Sequence, residues 1–135
     1  MDRDLSLDLP RTLASVEEGR LAVLAHLAPF GVADAVINRI EVVLEELVSN
    51  VVRHAGGATH VRLGCAVVEN GVRLIVEDDG APFDPLAAAA PAPFDTLEDA
   101  PLGGLGIPLV KRLSRSLDYE WTGSGNRVTA VIALT

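Results

Sequence analysis

DAVINRIEVVLEELVSNVVRH, residues 34–54, carries the pattern from which the rest of the chain can be read. At about 100° per residue, Val36, Ile37, Ile40, Val43, Leu44, Leu47, Val48 and Val51 fall in one continuous arc, the mark of an amphipathic helix laid on a core. Glu46 and Asn50 sit just off the edge of that arc. Four residues apart, they stack on a single helical face with Arg53 beside Asn50. Such a carboxylate and carboxamide form either a solvated rim or the wall of a cleft.

The strands downstream show an opposite periodicity. Val61, Leu63, Cys65 and Val67 alternate with Arg62, Gly64 and Ala66, and Asn70-Gly71 predicts a type I′ hairpin turn. Val72, Leu74 and Val76 then alternate with Arg73, Ile75 and Glu77. The period of two puts Asp78 on the apolar face of its strand. A carboxylate directed inward is costly unless a donor meets it, and that donor is either internal or a ligand. Gly80, Pro82 and Pro85 break the strand immediately afterwards.

On the N-terminal side, Leu5, Leu7 and Leu9 alternate with polar residues and predict a short strand ended by Pro10. Ser15-Val16-Glu17-Glu18 has capping-box spacing, so a helix is expected to about Leu27, with Val16, Leu21, Leu24 and Leu27 inward. Pro29 and Gly31 close it, and Asp34 is the expected N-cap of the next helix, which ends near Gly56-Gly57.

Residues 86–102 are rich in Ala and Pro and lack a sustained period, which predicts a loop, with at most a helical turn over Ala87 to Ala90. A connection of that length in a compact domain is commonly a lid or binding loop. Gly103-Gly104-Leu105-Gly106 ends it, before a helix expected over Ile107 to Leu117 with Pro108 in its first turn. Glycines there form either a hinge or a cradle in which backbone N–H groups meet an anion. Two strands, near Leu117 to Trp121 and Arg127 to Leu134, finish the chain.

The whole is one domain of 135 residues, an α+β two-layer sandwich with a mostly antiparallel sheet and helices on one face. At 49% hydrophobic and 22% charged, it can bury a core without staples. A net charge of −8 argues against a direct nucleic-acid binder, which needs a basic face. The single cysteine, Cys65, excludes an internal disulfide and reads as core filling. His26, His54 and His60 are not spaced as a metal site. With no leader pattern and no apolar run long enough for a membrane span, the expected location is cytoplasmic.

Taken together, three motifs resemble the GHKL ATPase superfamily of gyrase, the heat-shock chaperone, histidine kinases and MutL. Glu46-x-x-x-Asn50 with His54-Ala55 resembles its asparagine box, Asp78-x-Gly80 its first glycine box, and Gly104-x-Gly106-Ile107 its second. More closely, the chain is similar to the stand-alone anti-sigma factor serine-protein kinases of bacterial partner switching. Pro82 departs from the superfamily, where a second glycine is frequent, but Phe83-Asp84-Pro85 looks like the anti-sigma branch.

The resemblance implies a Bergerat-type fold that binds ATP or ADP with Mg2+. Glu46 would be the general base, and Asn50 would supply an oxygen to the magnesium ion. Asp78 would accept from the adenine amine, Gly80 would leave room for the base, and Thr129 would support adenine recognition. Gly103, Gly104 and Gly106 would present backbone N–H groups to the phosphates beneath a lid over about 86–106. The implied function is that of a serine/threonine protein kinase and anti-sigma factor. It would phosphorylate a STAS-type anti-anti-sigma protein, sequester a sigma factor and form a homodimer. The alternative is a nucleotide-gated binding regulator with little or no kinase activity; the presence of Glu46 favours the enzyme.

Overall fold

The computed structural model describes residues 4–86 and 106–135. Its elements are β1 (Leu5–Pro10), α1 (Ala14–Leu27), a 3-10 turn (Ala28–Phe30), α2 (Asp34–His54), β2 (His60–Val68), β3 (Gly71–Asp78), α3 (Gly106–Leu113), β4 (Ser116–Trp121) and β5 (Asn126–Ala133). The strands form one antiparallel sheet in the order β1-β2-β3-β5-β4. The helices pack on it and on each other, giving the expected α+β sandwich. Gly103, Gly104 and the Ala87 to Ala90 turn lie outside the described residues, as does nearly all of the lid.

The apolar arc of α2 is the centre of the core. Val36, Ile40, Val43, Leu44, Leu47, Val48 and Val51 are all buried, facing Val61, Leu63, Val72, Leu74 and Val76 of the sheet. Burial of each such aliphatic side chain stabilises by roughly 1.5–3 kcal/mol before entropy is counted. Cys65 is buried among them, and burial pushes its thiol up to about 12, so it is a packing residue.

Five local expectations are corrected. Ser15 does not cap α1: it is the second residue of the helix, and its hydroxyl donates to the Pro10 carbonyl at 2.6 Å instead. The inner face of α1 is Ser15, Gly19, Val23 and Leu27, while Leu21 is exposed. The reason is close approach, since a Cβ on Gly19 would stand 2.9 Å from Leu63 Cδ2. Asp34 opens α2 rather than capping it, with Ala33 as the extended N-cap; its carboxylate still lies in the first turn, where the helix dipole favours it.

In the β2–β3 hairpin, Val68 pairs with Gly71, so the turn is Glu69–Asn70. Only Asn70 takes positive φ, at 57°, and a type I′ turn needs two such residues. Finally, α3 ends at Leu113, four residues before the expected Leu117, because Ser116 and Leu117 are taken into pairing with Val131 and Ala130.

Candidate functional site

Asp78 stands where the strand period put it, at the inward end of β3, 8% exposed. Its Oδ1 accepts from the Gly80 N–H at 2.8 Å and from Asn126 Nδ2 at 3.0 Å. Both hydrogen bonds given to it among the described residues fall on Oδ1, leaving Oδ2 with acceptor capacity for an outside donor. A carboxylate so placed suits a ligand that brings an N–H, such as an exocyclic amine.

Asn126 was not foreseen. It faces Asp78 across the β3–β5 pairing and is 4% exposed. Its amide is fully engaged: Nδ2 also donates to the Ala81 carbonyl at 2.9 Å, and Oδ1 accepts from the Phe83 N–H at 2.9 Å and the Tyr119 hydroxyl at 2.5 Å. One carboxamide thereby ties the end of β3, the loop after it and strand β4. Burial raises the Tyr119 pKa, which keeps the hydroxyl in its donating form. The only signal in the sequence was an Asn opening a strand after a glycine; its partner follows from long-range pairing.

The turn before β5 seats against the same place. A Cβ on Gly125 would lie 1.9 Å from the Asp78 carbonyl oxygen, so only glycine fits. Gly80 is similarly confined, its added Cβ reaching 3.0 Å from both Asp78 Oδ1 and the Gly56 carbonyl. Asp79 is a clasp rather than a solvated turn residue. It accepts from the Thr59 hydroxyl, the Thr59 N–H at 2.7 Å and the His60 N–H at 3.2 Å. These bonds, the Thr59 hydroxyl foremost, hold its carboxyl well below the usual carboxylate range.

Asn50 of α2 shares a hollow with Asp78 and Asn126, walled by Leu47, Val51, Ala55, Val76, Phe83 and Val128. Apolar walls with a few converging polar groups are what a flat heteroaromatic ring requires. Glu46 lies one turn N-terminal to Asn50, half-buried; desolvation raises its pKa, Glu45 adds to this, and Arg53 opposes it. The first residue of α3 abuts it, for a Cβ on Gly106 would stand 2.5 Å from Glu46 Oε2.

The structure thus brings Asp78 and Asn50 to one hollow, with Gly80 bonded to Asp78, and Glu46 and Gly106 to each other. It does not bring Thr129. That residue pairs with Ile75 and Asp118, three positions past Asn126. An odd step along a strand reverses the side-chain direction, so Thr129 belongs to the opposite face of the sheet, and Asn126 occupies the place expected for it. Among the described residues, no three His, Cys, Asp or Glu side chains could hold a metal ion together. Asn50 fits magnesium only as one oxygen ligand, with phosphates supplying others.

The family described as histidine kinase-like ATPase domain matches residues 9–132. Serine/threonine-protein kinase BtrW of Bordetella bronchiseptica is 31% identical over 88 residues, which span 63% of this chain and 62% of BtrW. The structure of the RsbU and RsbW domains of Rv1364c from Mycobacterium tuberculosis superposes with a TM-score of 0.69 at 19% identity, covering 96% of this chain and 32% of that one. The blue-light activated histidine kinase of Erythrobacter litoralis EL346 gives 0.57 at 22% identity, covering 93% and 42%. The last two likenesses concern the fold. With the family match extending over nearly its whole length, the chain belongs to the histidine kinase-like, or GHKL-type, ATPase domain family.

Proposed function

We infer that this chain is an ATP-dependent serine-protein kinase and anti-sigma factor, acting on a STAS-type anti-anti-sigma protein and holding a sigma factor in its other state. The observation that carries the reading is the placement of Glu46, a partly desolvated carboxylate one helical turn from Asn50 and beside the hollow that contains Asp78. A nucleotide-binding module alone has no use for a base there. The relationship to a serine/threonine kinase, BtrW, supports the same branch.

In this reading the hollow takes adenine, with Asp78 Oδ2 accepting from its amine and Asn126 holding the carboxylate in place. Asn50 supplies an oxygen to magnesium, which neutralises phosphate charge. Glu46 takes the proton of the incoming serine hydroxyl as its oxygen bonds to the γ-phosphorus, the β,γ-bridging bond breaks and ADP leaves. Gly103, Gly104 and Gly106 offer N–H groups to the phosphates. Residues 1–135 act as one catalytic domain, working as a homodimer in the cytoplasm; no helix among the described residues is long and apolar enough to cross a membrane.

The test is calorimetric titration of ATP and ADP, with and without magnesium, into the wild type and Asp78→Asn. Transfer of labelled γ-phosphate to a serine-bearing STAS protein is then followed with wild type and Glu46→Ala. Binding lost in Asp78→Asn and transfer lost in Glu46→Ala are expected. Tight nucleotide binding with no transfer to any STAS partner would leave the nucleotide-gated regulator instead.

A further inference from the structure

Gly106 reads in the sequence as one glycine among several offering N–H groups to phosphate. The structure gives it a distinct neighbour. A methyl group at this position would lie 2.5 Å from Glu46 Oε2, closer than real Cβ atoms approach a neighbour, with Glu46 Cδ in ordinary contact at 3.4 Å. Gly106 is itself buried, and Val110, one turn on, is fully buried in the core beside α2. Helix α3 is therefore anchored against α2 by packing.

What can yield is the end of the Glu46 side chain. A carboxylate at a helix N-terminus is favoured by the dipole. We propose that Gly106 is a positioning residue for Glu46: its missing side chain is what lets the carboxylate stand against the start of α3 rather than swing out of the site. This rests on the kinase reading, in which Glu46 is the base.

The experiment compares wild type, G106A, E46D and the double variant. Each is crystallised, and each is assayed for Mg·ATP affinity by calorimetry and for phosphotransfer to a STAS-type partner. Because the displaced atoms are the end of a flexible side chain, G106A is expected to fold with an unchanged backbone and a displaced Glu46 carboxylate. Its kcat should fall about tenfold to a hundredfold, part of what a general base contributes, with ATP affinity within about twofold of wild type. Aspartate is one methylene shorter and does not reach Gly106, so adding G106A to E46D should change kcat by less than about twofold.

A Glu46 carboxylate unmoved in the G106A crystal, with kcat retained, would overturn the inference. So would a loss of ATP affinity matching the loss of kcat in both backgrounds, which would assign Gly106 to phosphate contact alone. Absence of phosphotransfer by the wild type would sink the kinase reading, whereas the carboxylate position in G106A would still decide this inference.

Discussion

Asn126 Nδ2 lies 3.0 Å from Asp78 Oδ1, and both side chains are more than nine-tenths buried. The pair joins two strands distant in sequence and orients the single inward carboxylate of β3. Asn126→Ala removes a donor from that carboxylate and leaves the Tyr119 hydroxyl and the Phe83 N–H without their acceptor. Unfolding stability should drop by about 1–3 kcal/mol, and ATP affinity by about tenfold. Urea titration and calorimetry read the two effects separately; full ATP affinity in a stable Asn126→Ala protein would remove Asn126 from the site.

Asp78→Asn keeps the shape of the side chain but lets an amide occupy part of the carboxylate's acceptor positions. A hydrogen bond to a charged acceptor contributes about 1.5–3 kcal/mol, so ATP affinity should fall tenfold to a hundredfold while the fold persists. Competition between ATP and GTP is the sharper readout, because only adenine presents an amine there. Unchanged preference for ATP would place the base elsewhere.

Glu46→Gln should retain nucleotide binding and lose phosphotransfer by about a hundredfold to ten-thousandfold. Its stability effect has a defined pH sense. The folded pKa of Glu46 is raised by burial, so the charged form is disfavoured on folding. That penalty is absent at low pH, where the group is protonated in both states, and grows as pH rises through the folded value. The thermal midpoint of Glu46→Gln should therefore exceed that of wild type at pH 7 and converge with it near pH 4.

Asp79 has the opposite sign. Its folded pKa is depressed, chiefly by the Thr59 hydroxyl, so its contribution is present above the ordinary value of about 3.9 and is lost as pH falls toward the folded one. Asp79→Ala should lower the thermal midpoint at pH 7, with the gap narrowing in acid below about pH 4. A gap independent of pH would mean that the Thr59 clasp contributes through packing and not charge.

Gly125→Ala should be the most damaging of the glycine substitutions at the site, because the obstacle is backbone rather than a flexible side chain. Its Cβ would lie 1.9 Å from the Asp78 carbonyl oxygen, and relief requires moving a strand end. A loss of about 1–3 kcal/mol or more is expected in urea unfolding. A soluble variant of wild-type stability would show that the turn can reseat.

Local periodicity determined much of this protein from sequence alone. The arc of α2, the alternation of β2 and β3 and the inward aim of Asp78 depend only on the 3.6 and 2.0 residue repeats, and all appear in the structure. Glu46 and Asn50 were legible for the same reason, being one turn apart on one helix. What failed locally depended on neighbours: the Ser15 hydroxyl found the Pro10 carbonyl, and Ser116 and Leu117 were drawn from helix into β4 by pairing with β5.

Tertiary structure alone decided which residues meet. Asn126 reaches Asp78, and Thr129 does not, because β5 pairs with β3 in the register that sets Asp78 opposite Asn126. Gly106 touches Glu46 because α3 packs on α2. Repeat patterns report which face of an element is buried. The partner on that face is set by contacts between segments far apart in the chain, whose pairing is selected by the packing of the whole core.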